Sequence, residues 1–163
     1  MFDKFGEMDS AAEINMAADG LLKENDTENI IILAKENGID EEDARDFING
    51  DVQELCTDLM AAVGKLQMET DEINKDDKGI ERMPLLLIIQ MTKTMCTDQE
   101  LAKAIRKKGK RNKEIYKLMK DEAGKHRIGS MGVSCGTDKQ LREIIEAYYL
   151  NKNPKKILES LYE

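Results

Sequence analysis

The sequence has few of the residue types that mark secreted, metal-binding or aromatic-rich proteins. Only 4% of its 163 residues are aromatic, none is tryptophan, and it has one histidine, two prolines and three cysteines. Those cysteines, Cys56, Cys96 and Cys135, stand about 40 residues apart, which fits neither a disulfide framework nor a Cys-x-x-Cys metal pair. We therefore expect a protein of a reducing cytoplasm.

Long apolar runs are also missing. The longest is Leu85 to Ile89, in a segment of about ten residues, half of the ~20 that cross a bilayer. The first seven residues lack the basic start and apolar stretch of a secretion signal. We expect no membrane span and no membrane partner.

Strand-like alternation is nearly absent, whereas helical periodicity recurs along the chain. The sequence predicts an all-α array of about seven to eight short helices in two subdomains. The first is acidic and covers 1–68, a linker or exposed loop covers 69–82, and the second is basic and covers 83–163. Helix starts are predicted at Ser10, Asp26 or Thr27, Asp40, Asp51, Thr97, Asn112, Thr137 or Asp138, and Asn153. A further helix is predicted with Pro84 in its first turn, leading Leu85 to Met95.

The net charge of −8 conceals an asymmetry between the two halves. Residues 1–80 hold 22 acidic and seven basic residues, a charge of −15, whereas residues 81–163 hold 11 acidic and 18 basic residues, a charge of +7. Such asymmetry predicts two partners, or one partner with two faces.

The basic residues concentrate in 103–127, with eleven lysines and arginines against three acidic residues. Such a stretch suits phosphate contact, because each neutralised phosphate releases counterions. It also suits a solvated helix face, or a surface that docks on the acidic half. The residues that we expect to contact nucleic acid or an acidic partner are Arg106, Lys107, Lys108, Lys110, Arg111 and Lys113.

The acidic half has two interpretations of its own. It could imitate the charge of nucleic acid and compete for a basic protein channel, or it could cap helices and keep a methionine-rich domain in solution. The candidate contact residues are Asp40, Glu41, Glu42, Asp43 and Asp46. They do not form an EF-hand, because the glycine that its loop requires at position six is absent.

Catalytic, cofactor and metal signatures are weak. His126 and Cys135 are nine residues apart, and we interpret them as a loop histidine and an ordinary thiol rather than a catalytic pair. The glycine-rich residues 129–137 lack the Gly-Lys-Ser/Thr of a P-loop, so we predict a flexible connection. Five methionines serve as core filler or, alternatively, as an adaptable binding face: Met83, Met91, Met95, Met119 and Met131. We expect no enzyme, no cofactor and no metal.

Three stretches between about Leu86 and Asn153 carry a recognisable pattern: residues 96–105, residues 115–123, and Asp138 with residues 144–149. In these stretches the sequence resembles the PcfK-like family of helical proteins from Gram-positive plasmids, integrated elements and phages. The sequence departs from the family pattern at Ala147, where the family has histidine, and at Asn151-Lys152-Asn153, where acidic residues are expected.

That family includes inhibitors of the CRISPR nuclease Cas9. The resemblance implies a cytoplasmic, non-enzymatic protein of a bacterial host that binds Cas9, or its complex with guide RNA, and blocks DNA recognition or cleavage. Two alternatives stay open. One is a DNA-binding accessory protein of conjugative transfer, and the other is a helical module that forms a homodimer through its methionine-rich face.

Overall fold

The computed structural model describes residues 3–75, 79, 81–127, 129 and 136–162. These residues contain helices and no strands, which confirms the predicted all-α fold, with nine helices rather than seven to eight. The helices are α1 (Ala11–Lys23), α2 (Thr27–Glu36), α3 (Glu41–Asn49), α4 (Asp58–Lys75), α5 (Arg82–Met95), α6 (Gln99–Arg106), α7 (Asn112–Lys125), α8 (Asp138–Tyr149) and α9 (Pro154–Glu159). The sequence also predicts one short extended piece near Met131 to Cys135, but these residues lie outside the described part of the chain.

Most predicted helix starts are correct because polar side chains bind the free amides of the first turn. The Ser10 hydroxyl accepts from the Glu13 amide at 3.1 Å, although the Glu13 carboxylate accepts from the Asp9 amide rather than from that of Ser10. Thr137 and Gln140 form a complete capping box at α8. At α6 the capping residue is Asp98, one position later than the predicted Thr97.

The start of α4 differs from the prediction, which placed a helix from Asp51. Residues 51–57 instead follow a bent path, and the Asn15 side chain binds both backbone groups of Cys56, at 2.9 and 3.0 Å. The helix begins after Thr57, whose hydroxyl accepts from the Met60 amide at 3.2 Å. The hydrogen bonds from Asn15 to Cys56 and the cap at Thr57 together prevent α4 from starting earlier.

The end of α4 also differs, since residues 69–75 belong to the helix and not to the predicted linker. Glu69 is 5% exposed, and Ile73 packs on the core beside Leu66. Leu66, Glu69 and Ile73 lie on one face of the helix. Because the middle residue is charged, the sequence does not show the regular apolar spacing that would have predicted a helix here.

Buried apolar side chains form two clusters that meet within α4. The first joins α1, α2 and α3 to residues 55–61, and the second joins α4 to the five later helices. The boundary lies between Ala61 and Ala62. Helix α4 therefore belongs to both cores and fixes how they sit against each other.

The turn between α2 and α3 touches α4 backbone to backbone. A Cβ atom on Gly64 would lie 2.6 Å from the Gly38 carbonyl oxygen and 2.7 Å from that of Asn37. Gly38 itself has φ +71°, which favours glycine. This contact fixes α4 against the first cluster at the level where the charged residues described next are buried.

Candidate functional site

Residues 3–9 form a strap that runs from the end of α2 towards the second half of the molecule. The Glu36 carboxylate, at the last residue of α2, accepts from the amides of Asp3, Lys4 and Phe5 at 3.2, 2.7 and 2.9 Å. Phe5 and Met8 pack against the first core cluster. We call residues 3–9 the N-terminal strap.

The strap ends on the basic connection, which we define as residues 107–111 between α6 and α7. Asp9 accepts from the Lys108 amide at 2.9 Å and from the Lys107 ammonium at 2.7 Å. Glu7 accepts from the Gly109 amide at 3.4 Å. The acidic half therefore docks on the basic stretch, which is one of the alternatives that the sequence left open.

Glu7 also pairs with two further cations. Its Oε1 lies 3.1 Å from Lys65 Nζ and 3.5 Å from the Arg111 guanidinium. Burial acts to raise the pKa of Glu7, but Lys65 and Arg111 outweigh it and the net pKa is lowered. The hydrogen bonds from Lys107 and the Lys108 amide lower the pKa of Asp9. Both carboxylates are anions that the basic connection stabilises.

Lys65, the partner of Glu7, lies in the interior of the molecule. Its side chain is fully buried in α4, and its ammonium donates to the Lys107 carbonyl oxygen at 2.5 Å. Burial lowers the pKa of Lys65, against the opposing effect of Glu7. One lysine thus links α4, the strap and the end of α6.

Arg106 is the clearest departure from the predicted binding set, because it is only 1% exposed. Its guanidinium donates to the side chain of Asn37 at the end of α2. Its Nε and Nη1 have no hydrogen-bond partner among the described residues. The structure therefore places Arg106 inside the molecule, where it joins the two halves and cannot reach a partner.

The other predicted cations are divided between internal contacts and solvent. Lys110 lies 4.5 Å from the Tyr148 ring centre and donates to the Tyr148 carbonyl oxygen at 2.8 Å, while the Arg111 amide donates to the Tyr148 hydroxyl at 3.2 Å. Lys108 and Lys113 have exposed side chains. No hydrogen bond or ion pair to either side chain occurs in the part of the chain that the structure describes.

A buried polar network lies beneath the start of α7. Glu69 Oε2 accepts from the backbone amide and the side-chain amide of Asn112, both at 3.0 Å. Asn112 in turn accepts from the Thr92 hydroxyl at 2.8 Å. Burial raises the pKa of Glu69, and the two hydrogen bonds from Asn112, which favour the anion, oppose this rise only in part.

The five predicted acidic residues lie on or next to α3, as a separate surface. Asp40, Glu41 and Glu42 are exposed, and Asp43 and Asp46 are partly exposed. Glu41 pairs with Arg45 one turn later. None of the five side chains binds a cation of the second half within the described residues.

A groove of about 370 Å³ lies beside this acidic surface, between α3 and residues 51–57. Asp43, Asp46 and Glu54 supply carboxylates to it, and Leu55 and Met60 supply apolar contact. Val52, also in its wall, is 43% exposed. The lining of the groove therefore combines carboxylates with apolar side chains.

The remaining sequence candidates are dispersed. His126 stacks on Tyr162 with ring centres 4.0 Å apart and lies 3.2 Å from Glu122, while Cys135 and Met131 fall outside the described residues. Met91, Met95 and Met119 pack on the second core cluster, but Met83 is 68% exposed. Burial raises the pKa of Cys56 to about 12 and that of Cys96 to about 11.

The residues that make the internal charged contact were missed from the sequence. Glu7 and Asp9 lie about 100 residues from the amides that they bind, and no local pattern reports such a pairing. Lys65 and Glu69 do carry a signal, since they occupy core positions of α4 beside Ala61, Ala62 and Leu66. A charged residue at core spacing predicts a buried partner.

Among the residues described, no helix is long and apolar enough to cross a membrane, and no three His, Cys, Asp or Glu side chains group as a metal site. Comparison with models of known families, with curated proteins and with solved structures finds no match to this chain.

Proposed function

We propose that this protein is a non-enzymatic inhibitor that binds Cas9, alone or with its guide RNA, through the acidic surface of α3. The resemblance of residues 86–153 to the PcfK-like family supplies the partner. The observation that supports this mode of binding is that, among the described residues, the cations of the basic connection are mostly paired within the chain and the acidic residues next to and on α3 mostly are not. The basic connection is largely occupied by contacts within the chain, whereas the carboxylates next to and on α3 face solvent.

The chemistry of the acidic surface suits a basic protein. Cas9 holds its guide–target heteroduplex in a positively charged channel. A row of exposed carboxylates on a rigid helix can enter such a channel in place of a phosphate backbone, and the field around it speeds association. The apolar residues that line the adjoining groove offer contacts on which an apolar side chain of a partner protein can be buried.

Neutralising this surface tests the proposal. Glu42→Gln, Asp43→Asn and Asp46→Asn together remove three charges, while Glu41 keeps its pair with Arg45. We expect affinity for immobilised Cas9 to fall by about tenfold or more at low salt, together with inhibition of DNA cleavage. Circular dichroism checks that α3 persists, because acidic residues in the first turn stabilise a helix.

A matched variant controls for net charge alone. Asp19→Asn, Glu24→Gln and Glu28→Gln remove three exposed charges from α1, α2 and the turn between them, and we expect an affinity within about twofold of the parent. If immobilised Cas9, with or without guide RNA, does not retain the parent protein at about 50 mM salt, the proposal is contradicted. Equal loss in both variants contradicts the assignment to α3.

A further inference from the structure

The basic connection has the donor groups of a phosphate-binding loop. Two successive backbone amides, of Lys108 and Gly109, point at carboxylate oxygens. Gly109 has φ +76°, a conformation that places neighbouring amides on one concave side. The ammonium of Lys107 and the guanidinium of Arg111 point at the same two carboxylates. Backbone amides backed by lysine and arginine are the groups that bind phosphate oxygens.

The anions that now occupy these donors come from a segment that is distant in the chain. Glu7 and Asp9 belong to the strap, about 100 residues earlier in the chain. The side chains of Asp9 and Lys107 are 47% and 54% exposed, and exposed ion pairs of this kind add little stability. The inner anchors of the strap are Glu7, the packing of Phe5 and Met8, and the three amides held by Glu36.

Release of the strap would leave an excess of positive charge. The basic connection contains four cations and no acidic residue. Lys65, fully buried beneath it, would lose Glu7 as its ion-pair partner. Lys113 adds an exposed cation close by, at the start of α7. An incoming anion would therefore replace interactions that the strap had supplied.

We propose that the basic connection binds the phosphate groups of a nucleic-acid backbone, and that the strap's carboxylates compete with that backbone for the same donors. Binding is independent of base sequence, because its donors contact the phosphate backbone, and the Tyr148 ring beside them has the Lys110 ammonium over it. This inference does not rest on binding to Cas9, since it uses none of the residues of α3.

The test measures fluorescence anisotropy of labelled duplex DNA, single-stranded DNA and single-stranded RNA with the full chain. The strap variant Glu7→Gln with Asp9→Asn keeps the shape of both side chains and removes their charge. We expect it to bind at least one of the three probes about tenfold more tightly than the parent, with a steeper dependence on salt. The three probes show which phosphate backbone fits.

The control variant is Asp19→Asn with Glu24→Gln, which removes the same charge from exposed positions in and just after α1. We expect it to tighten binding by less than about twofold, through net charge alone. Equal tightening by the strap variant and the control overturns the proposal.

Two further measurements locate the site. In the strap variant, Lys107→Gln with Lys108→Gln should abolish the gain and lower the salt slope by about two, whereas the exposed pair Lys155→Gln with Lys156→Gln should not. In the parent, saturating oligonucleotide at low salt should speed hydrogen exchange at the amides of Lys4 and Phe5, because the strap lifts. Unchanged exchange, or a gain that survives the Lys107 and Lys108 changes, overturns the competition.

Discussion

Glu69 shows how one side chain serves both the packing of α4 and the start of α7. It is 5% exposed, and its Oε2 takes both donors of Asn112, while Oε1 has no hydrogen-bond partner among the described residues. Burial raises its pKa above the ordinary value of 4.5. The folded state therefore binds this proton more tightly than the unfolded state does, and stability falls as pH rises from about 4.5 through the folded pKa.

Glu69→Gln tests this dependence on pH. The amide oxygen of glutamine can still accept from Asn112, and the group no longer ionises. We expect the variant to match the parent most closely near pH 4.5 and to become more stable than the parent as pH rises through the folded pKa of Glu69, above which the difference levels off, measured by urea unfolding at each pH. Glu72→Gln, at an exposed position in the same helix, should show no such divergence. A difference that does not vary with pH contradicts the assignment.

The sequence predicted the position of some charged residues of the candidate site correctly and of others wrongly. The acidic residues next to and on α3 were predicted as partner contacts, and the structure leaves them exposed or partly exposed. Arg106 was predicted as a partner contact because it lies in the basic stretch of residues 103–127, but its side chain is buried and donates to Asn37. Local composition could not separate these cases, because the partner of Arg106 lies 69 residues away.

Helix α4 packs backbone to backbone against the turn after α2, through Gly64. Alanine normally favours a helix over glycine by about 1 kcal/mol. At Gly64 the added methyl group would instead meet the Gly38 and Asn37 carbonyl oxygens at 2.6 and 2.7 Å. Since both neighbours are backbone atoms of a tight turn, the two elements would have to separate.

Gly64→Ala should therefore destabilise the protein by about 3 kcal/mol, at the upper end of what overpacking costs. Gly20→Ala in α1 is the matched control, because nothing lies within 4 Å of its added Cβ. It should stabilise by about 0.5 to 1 kcal/mol. Chemical unfolding of both variants gives the comparison, and a stabilising effect of Gly64→Ala would refute the close contact.

The helix ends reveal what local sequence can predict. Ser10, Asp26, Thr137 and Asn153 cap helices as expected, because a cap depends on the few residues that follow it. Both ends of α4 were misplaced, because tertiary contacts decide them. Asn15 holds Cys56 from 41 residues away, and burial of a carboxylate extends the helix beyond residue 68.

At the scale of the whole molecule, the charge asymmetry of the chain becomes a contact between its halves. The strap, Lys65 and Arg106 bring opposite charges and polar groups together across the boundary of the two core clusters. Because α4 belongs to both clusters, the predicted basic subdomain of residues 83–163 lacks Ala62 and Leu66, which complete its core. It also lacks Glu69, which binds Asn112.

Residues 83–163 produced alone should therefore not unfold cooperatively. We expect a broad thermal transition by circular dichroism, without the dispersed methyl signals of a packed core in proton spectra. Residues 58–163, which restore α4, should give a sharp transition at a lower midpoint than the full chain. A transition as sharp in 83–163 as in 58–163 would show that α4 is not part of that core.

The strap's carboxylates compete within the molecule for the donors of the basic connection. The apparent affinity of the basic connection for an external anion therefore depends on the fraction of chains in which the strap is lifted. If about one chain in a hundred is open, an oligonucleotide binds about a hundredfold more weakly than the uncovered donors would allow. Glu36 holds the strap through three amides and touches none of those donors. Glu36, although it does not touch the ligand, thereby sets how much of the basic connection is occupied by it.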